Sequence, residues 1–335
     1  MLVLFFWQLD IGDTLEHLRD ADYIWLIPAL ALYFLAVLFR AIRWRFLLMH
    51  IKEVPAIRLY SPVVVGYMAN NLLPVRLGEF VRAWFFSERE GVSKSAALGT
   101  VLLERVFDGV GLLIIALIVW PFLDVSEVFS AFSDDIGIPE GVLIGLILSL
   151  FLGVLALMFG VAIFPVLRDV VVKALTRFLP KRIREPAQRI LYSFVDGLSG
   201  LRNPRRVVLI LAVTMPVWLA EGAMYHIIGW AFDLDVPYNG SLFITAIANL
   251  AVSLSSAPGG IGPFEYGTKV VLEGFNESPE VAAAYAVILH AALLAPVTML
   301  GLFFMWLHNL SFSEMTRRST EVVEEEPGES GEPSA

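Results

Sequence analysis

Ala69-Asn70-Asn71-Leu72-Leu73-Pro74-Val75-Arg76-Leu77-Gly78-Glu79-Phe80-Val81-Arg82 decides how this chain is read. The stretch lies in apolar surroundings, yet it carries two asparagines, a proline, a glycine and three charges. A helix interrupted in this way leaves backbone amides and carbonyls without partners. In hydrocarbon such groups are tolerated only where protein or a water-filled cavity satisfies them. A second interruption reads Ser255-Ser256-Ala257-Pro258-Gly259-Gly260-Ile261-Gly262-Pro263-Phe264-Glu265. Both contain Pro-x-x-x-Gly followed closely by Glu: Pro74, Gly78 and Glu79 in one, Pro258, Gly262 and Glu265 in the other. The segments around them, residues 54–92 and 240–279, each start and end on one side of the membrane, and the two sides are opposite. Both read as re-entrant helical hairpins whose tips meet near the midplane. Two such broken segments in corresponding halves point to an inverted-repeat transporter. An ordinary kinked span is the competing reading of either.

The rest of the chain supports a membrane setting. Of 335 residues, 57% are hydrophobic and 17% charged, with a mean hydropathy of +0.72; soluble domains carry about 25% charged residues. Gly141 to Leu167 and Val281 to Leu307 each run 27 residues without Asp, Glu, Lys or Arg. About 20 apolar residues suffice for a crossing. An ordinary soluble enzyme, a disordered chain and a fibrous repeat are excluded. A β-barrel is disfavoured, because its strands alternate rather than form such runs. Cysteine is absent, which removes disulfides, Cys-based metal sites and thiol nucleophiles. The net charge of −9 is concentrated in the tail, where seven glutamates lie between Glu314 and Glu332. Outside residues 311–335 the net charge falls to −4, and the chain shows no nucleic-acid footprint.

Charge asymmetry orients the spans. Tyr23 to Phe39 is followed by Arg40, Arg43, Arg45 and Lys52, which mark the cytoplasmic side. The acidic leader from Asp10 to Asp22 then lies outside. A helix from about Lys94 to Leu123 runs outward to an acidic loop. Gly141 to Leu167 returns to the most basic stretch, residues 168–206, which reads as an amphipathic helix on the inner membrane surface; its middle reads equally well as a solvated loop. Val207 to Phe232 crosses outward and Val281 to Leu307 inward, so the C-terminus is cytoplasmic. Leu2 to Trp7 gives only about 9 Å of helix, too short to span, and reads as a stub or interfacial anchor. Tyr23, Trp25, Trp84, Trp120, Trp230 and Trp306 read as interfacial anchors.

Several charges fall at membrane depth, where each costs at least about 2.5–3.5 kcal/mol. Arg76, Glu79 and Arg82 share one helical face. Glu104 and Asp108 are i,i+4 neighbours, with Arg105 three residues before Asp108. Glu221 interrupts the crossing that starts at Val207, and Glu265 follows the second tip. The arginines Arg76, Arg82 and Arg105 can neutralise Glu79, Glu104 and Asp108, with Glu265 and Glu221 as further candidates. Such a cluster either locks helices together or forms a site. Because apolar residues would lock helices at less cost, we read it as a site. Arginines beside half-helix N-termini suit a phosphate, and the carboxylates would hold them or carry a coupling ion. Asn70, Asn71, Ser255 and Ser256 would cap broken backbone. Pro74, Gly78, Pro258, Gly259, Gly260 and Gly262 would shape the tips. The five histidines show no metal-ligand spacing, and His290 reads as packed or hydrogen-bonded. The glycines near Gly259 open no strand–helix unit, so no nucleotide fold is expected. No cofactor, metal or catalytic residue is expected.

Asn70 to Arg82, then Glu104-Arg105-Val106-Phe107-Asp108, then Pro258-Gly259-Gly260-Ile261-Gly262 with Glu265, together resemble the signatures of the lysylphosphatidylglycerol synthase transmembrane region. This family is also called the flippase-like domain or UPF0104 family. Arg40-Ala41-Ile42-Arg43-Trp44-Arg45 resembles it too, and the likeness covers residues 20 to 310. The resemblance implies an all-α polytopic membrane domain that moves, or helps move, lipids between leaflets. Only a short acidic tail follows Leu307, so no aminoacyltransferase activity is expected of this chain; as a separate departure, the family's N-terminal helix looks shortened. The expected organisation is an N-terminal stub and external leader (1–22), a flippase-like transmembrane domain (23–310) and an acidic cytoplasmic tail (311–335). The expected function is translocation of an anionic phospho- or glycolipid in the cell membrane. The alternatives are transport of a soluble anion, intramembrane lipid chemistry, or a non-transporting membrane partner of a lipid-modifying enzyme or glycosyltransferase.

Overall fold

The computed structural model describes residues 9–49, 51–73, 77–123, 164–177, 204–253, 257–308 and 310–311, with scattered positions between 139 and 192. Ten helices are described, and the described residues include no strand. They are α1 (Ile11–Asp20), α2 (Leu26–Leu48), α3 (Ala56–Leu72), α4 (Gly78–Glu90), α5 (Lys94–Val119), α6 (Pro165–Thr176), α7 (Pro204–Trp230), α8 (Tyr238–Ser253), α9 (Pro263–Glu273) and α10 (Pro279–Leu307).

Local chemistry sets their ends. Asp10 caps α1, accepting from the Gly12 and Asp13 amides at 2.7 and 3.3 Å, as short polar side chains do at N-caps. The acidic leader is therefore partly helical, and α1 packs on α10. Gly91 ends α4 in the left-handed conformation, φ 63°, the usual glycine stop. Pro263 and Pro279 begin α9 and α10, where a missing N–H costs nothing.

Three helices are long and apolar enough to cross a membrane: Tyr23–Leu48, Val207–Trp230 and Pro279–Leu307. Helix α5 is comparably long, at 26 residues, but carries Glu104, Arg105 and Asp108 in its middle. The expected crossing at Gly141 to Leu167 falls mainly outside the described residues. The bundle inverts the polarity of a water-soluble protein. Ile27, Met299 and Trp306 are exposed, while Arg43 is fully buried and Glu104 nearly so. Buried charge without a partner is prohibitive, so this core must be paired throughout.

In each broken segment the two flanking helices pack on each other, α3 on α4 and α8 on α9, and Pro258–Gly260 forms a short turn before α9. The first pair crosses at glycines: a Cβ on Gly78 would stand 2.1 Å from the Gly66 carbonyl oxygen, so no side chain fits. The Pro258–Gly260 turn of the second pair packs on α3 of the first. Helix α2 packs along α7, α3 along α10, and α8 along both α5 and α7. Residues of α2, α5, α7 and α10 come together around one cavity with Gly259 and Gly260 of the Pro258–Gly260 turn.

Two expectations are corrected by burial. Trp84, expected at an interface, is 2% exposed and packs with Val65, Met68 and Met305. Arg40 and Arg43, read as flanking charge, lie inside the bundle at 6% and 0% exposure. The reason is that α2 continues unbroken to Leu48, about six turns, and carries both arginines past the end of the apolar run.

Candidate functional site

Two groups of charges form around α5, and they differ in access. The first is a closed knot. The Arg43 guanidinium donates to Asp108 Oδ1 at 2.6 Å, to Glu104 Oε1 at 2.8 Å and to Thr214 Oγ1 at 3.3 Å. Glu104 Oε2 accepts from Arg82 at 2.8 Å, so both its oxygens are engaged. The Arg82 guanidinium lies 3.9 Å from the centre of the Trp44 ring, within range of a cation–π contact. Trp44 is fixed in turn by donating to Thr100 at 3.0 Å.

The second group lines a cavity of about 330 Å³. Arg40 donates to Glu221 at 2.6 Å. Arg105 donates through Nε to Glu79 at 3.0 Å, and its Nη1 stands 3.8 Å from Asp108. The arginines flank Tyr67, at 5.6 and 5.9 Å from its ring centre. Asn249 donates to Glu221 and to the Tyr225 hydroxyl. Leu112, Leu293, Leu294 and Val297 complete an apolar side of the wall. Arg105 is the accessible member: 37% of its side chain is exposed, against 7% for Arg40 and none for Arg43. Arg40, Arg43, Arg82 and Arg105 balance Glu79, Glu104, Asp108 and Glu221, four charges against four.

Described residues beside both breaks reach this cavity, Asn70, Asn71 and Glu79 from the first and Gly259 and Gly260 from the second. Asn70 Oδ1 accepts from the Gly78 amide at 2.8 Å, capping the start of α4. Asn71 turns to α10, donating to Thr298 at 2.9 Å. At the second tip, Glu265 reaches back to the Gly262 amide at 2.7 Å, an N3 side chain satisfying the N-cap donor. Its other oxygen meets His290 Nδ1 at 2.6 Å.

The residues singled out in the sequence thus divide. Glu79, Arg105, Asp108, Glu221, Asn70, Asn71, Gly259 and Gly260 line the cavity. Arg82 and Glu104 belong to the knot, and Arg82 reaches only a narrow cleft between Gly66 and Gly78. Glu265 meets a histidine rather than an arginine. Pro258 begins the second tip's turn and Gly262 caps α9. Arg76, Pro74, Ser255 and Ser256 lie outside the described residues. Sequence reasoning missed Arg40, Arg43, Tyr67, Asn249 and the pairing of His290. For Arg40 and Arg43 a signal existed: they are i,i+3 neighbours on a helix with no Gly or Pro between Pro28 and Leu48. Among the described residues, no group of three His, Asp or Glu side chains is placed to hold a metal ion.

The comparison with known proteins fits this geometry. Residues 1–301 match the family described as "Lysylphosphatidylglycerol synthase TM region". The chain belongs to that family. The chain is also similar to two UPF0104 membrane proteins. The one from Methanothermobacter thermautotrophicus is 24% identical over 85% of this chain and 83% of its own length. The one from Methanocaldococcus jannaschii is 26% identical over 68% of this chain and 87% of its own. The glycosyltransferase AglD of Haloferax volcanii is 25% identical over 97% of this chain. The match spans only 55% of AglD's own length. The chain is thus a multi-pass helical membrane protein of the lysylphosphatidylglycerol synthase TM family.

Proposed function

We propose that this protein takes the anionic headgroup of a phospho- or glycolipid into the cavity between its hairpin tips and passes the lipid between leaflets. The acyl chains stay in the bilayer. The observation that carries this reading is the position of Arg105: a partly exposed guanidinium on a cavity wall, midway along a 26-residue helix. A cavity of 330 Å³ is at the small end for ligand sites. It suits a headgroup rather than a whole lipid.

The arms of the two pairs are 17, 13, 16 and 11 residues long, all under the roughly 20 needed to cross. That shortness supports re-entry from opposite faces and an inverted-repeat arrangement. A phosphate entering the cavity would compete with Glu79 for Arg105, because guanidinium–phosphate pairs are charge-assisted and often bidentate. The released Glu79, with Asp108 and Glu221, could then accept from hydroxyl or ammonium groups of the same headgroup. Arg82, held between Glu104 and Trp44, would position α4 rather than touch lipid. Arg45 and Lys52 remain as exposed basic flank, and we place them, with the C-terminus, on the cytoplasmic side of the cell membrane.

The match to AglD favours one second reading. The cavity would present a lipid-carried sugar to a glycosyltransferase without moving it across the bilayer.

Native mass spectrometry of gently extracted protein, wild type beside Arg105→Ala and Arg40→Ala, tests the reading. The wild type should retain one anionic lipid class and both variants should lose it. Liposomes carrying that lipid should then show protein-dependent movement between leaflets. Selective retention without movement would favour the second reading. Equal, unselective lipid in all three samples would remove the headgroup site.

A further inference from the structure

His290 lies in the middle of α10, 4% exposed, with both ring nitrogens engaged. Nδ1 stands 2.6 Å from Glu265 Oε1. Nε2 stands 2.9 Å from the carbonyl oxygen of Gly259. Phe264 stacks on the ring at 4.3 Å and fixes its plane. A carbonyl only accepts, so the Gly259 contact requires a proton on Nε2. The 2.6 Å contact to the carboxylate requires a second proton, on Nδ1 or on Glu265. A neutral imidazole facing an ionised carboxylate holds one proton too few. One of the two contacts would then set lone pair against lone pair.

We propose that His290 and Glu265 form a proton-binding site whose occupancy controls the Pro258–Gly260 turn. With the extra proton, the pair is net neutral and pins the turn through Gly259. Without it, the pair carries one negative charge in a buried setting. The remaining proton then stays between His290 and the charged carboxylate, the stronger acceptor. The Gly259 carbonyl is released. The proton balance is simple: one proton is taken from water on binding and returned to water on release. The proton belongs to the pair rather than to either residue.

The surrounding groups leave this role to the pair. The other charged or titratable side chains facing the cavity are Tyr33 and Arg40 from α2, Tyr67 from α3, Glu79 from α4, Arg105 and Asp108 from α5, and Glu221 from α7. The arginines are committed to Glu79, Asp108 and Glu221. Among the described residues no arginine or lysine pairs with Glu265, whose contacts are His290 and the Gly262 amide. Lys269, one turn along α9, pairs with Glu273 at 2.8 Å.

The turn is built to respond. Gly259, Gly260 and Gly262 have φ of 62°, 76° and 99°, a region where glycine moves without steric cost. A Cβ built on Gly259 would be 3.9 Å from the Asn71 carbonyl oxygen, so the turn abuts the tip of the first pair. A change at Gly259 therefore reaches both tips and the cavity between them. If the cavity translocates lipid, as proposed above, a proton bound from one side and released to the other would let that movement draw on a proton gradient.

The lack of cysteine makes a clean test available. Ile261, in the turn and 46% exposed, is replaced by Cys and labelled with an environment-sensitive fluorophore. The full chain is reconstituted in phosphatidylethanolamine–phosphatidylglycerol vesicles and titrated. The label should report a one-proton transition that is lost in His290→Gln and in Glu265→Gln. A flat wild-type signal, or a transition unchanged in both variants, overturns the proposal. Should either variant fail to fold, the wild type decides alone through 15N-histidine NMR. The Nε2 signal of His290 should change from protonated to bare as pH rises through the same midpoint. An Nε2 that keeps its proton on both sides of the label's transition overturns the proposal. Lipid retention is measured on the same samples. Titration without selective lipid retention would leave the proton site standing and remove the headgroup reading; retention with a flat turn would do the reverse.

Discussion

Arg43 and Arg105 face the same carboxylate from opposite sides, and the contrast between them separates structure from function in this fold. Arg43 meets Asp108 Oδ1 at 2.6 Å with none of its side chain exposed. Arg105 stands 3.8 Å from Asp108 Oδ2 with 37% exposed. The first is enclosed by three acceptors, Asp108, Glu104 and Thr214. The second has one close partner, Glu79, and an open side. Charge buried without access can only hold helices together, whereas charge on a cavity wall can exchange its partner for a ligand.

The largest effect should follow from opening the knot. Arg43→Met would leave Glu104 with Arg82 alone and Asp108 with only the distant Arg105. Removing one partner from a buried pair typically costs about 3–5 kcal/mol. Thermal unfolding in detergent should show a large loss for Arg43→Met. A loss no greater than that of Arg105→Met would break the comparison.

A smaller loss is expected where backbone, not charge, closes the structure. Gly78→Ala would place a methyl group against the Gly66 carbonyl and the Asn70 side chain. Overpacking of this kind costs about 1–3 kcal/mol. Because Gly78 also starts α4, the displacement should carry Glu79 away from Arg105. The variant should therefore lose both melting temperature and lipid retention. Unaltered retention would show that the cavity does not depend on how the first pair crosses.

Asn70→Ala should cost less, about 1 kcal/mol, the usual value of an N-terminal side-chain cap. Here one hydrogen bond to the Gly78 amide is lost, and water in the cavity can replace it. Amide hydrogen exchange at the start of α4 is the direct readout. Exchange there should rise while α5 stays protected. Equal rises in both would mean that Asn70 supports the knot as well as the tip.

What the sequence disclosed follows the range of the interactions. Uncharged runs disclosed the long helices, because hydrocarbon demands them over a fixed length. Prolines and glycines disclosed both interruptions, because backbone conformation is local. The i,i+4 pair Glu104 and Asp108 disclosed one shared face, and both carboxylates do meet Arg43. Partners were not legible. Arg43 finds Glu104 and Asp108 at 61 and 65 residues along the chain, and Arg40 finds Glu221 at 181. An arginine buried against a distant acid and an arginine flanking a span look alike in sequence. The apolar run ending at Phe39 favoured the flank reading. His290 was legible as a hydrogen-bonded residue. Its partnership with Glu265 required the packing of α10 on α9.

Arg105 sharpens the contrast most. Arg105→Met strands one carboxylate, Glu79, which is 9% exposed and lines the cavity where water can reach it. It should therefore cost less stability than Arg43→Met, which takes a partner from two carboxylates of the closed knot. The methylene stem of Arg105 is replaced by one of similar reach, so packing beside Tyr67 changes little. Binding should respond differently. Hydrogen bonds to charged groups contribute about 1.5–3 kcal/mol, so loss of the guanidinium should weaken headgroup retention at least roughly tenfold. Arg105→Lys keeps the charge but not the planar fork, and should fall between. Glu79→Gln removes the competitor for Arg105 while leaving the guanidinium in place. It should hold the lipid at least as tightly as the wild type. This order — glutamine variant, wild type, lysine, methionine — requires Arg105 to exchange Glu79 for a ligand. A residue that merely braced α5 would instead lose lipid in proportion to lost stability, and Glu79→Gln would then weaken retention along with the others.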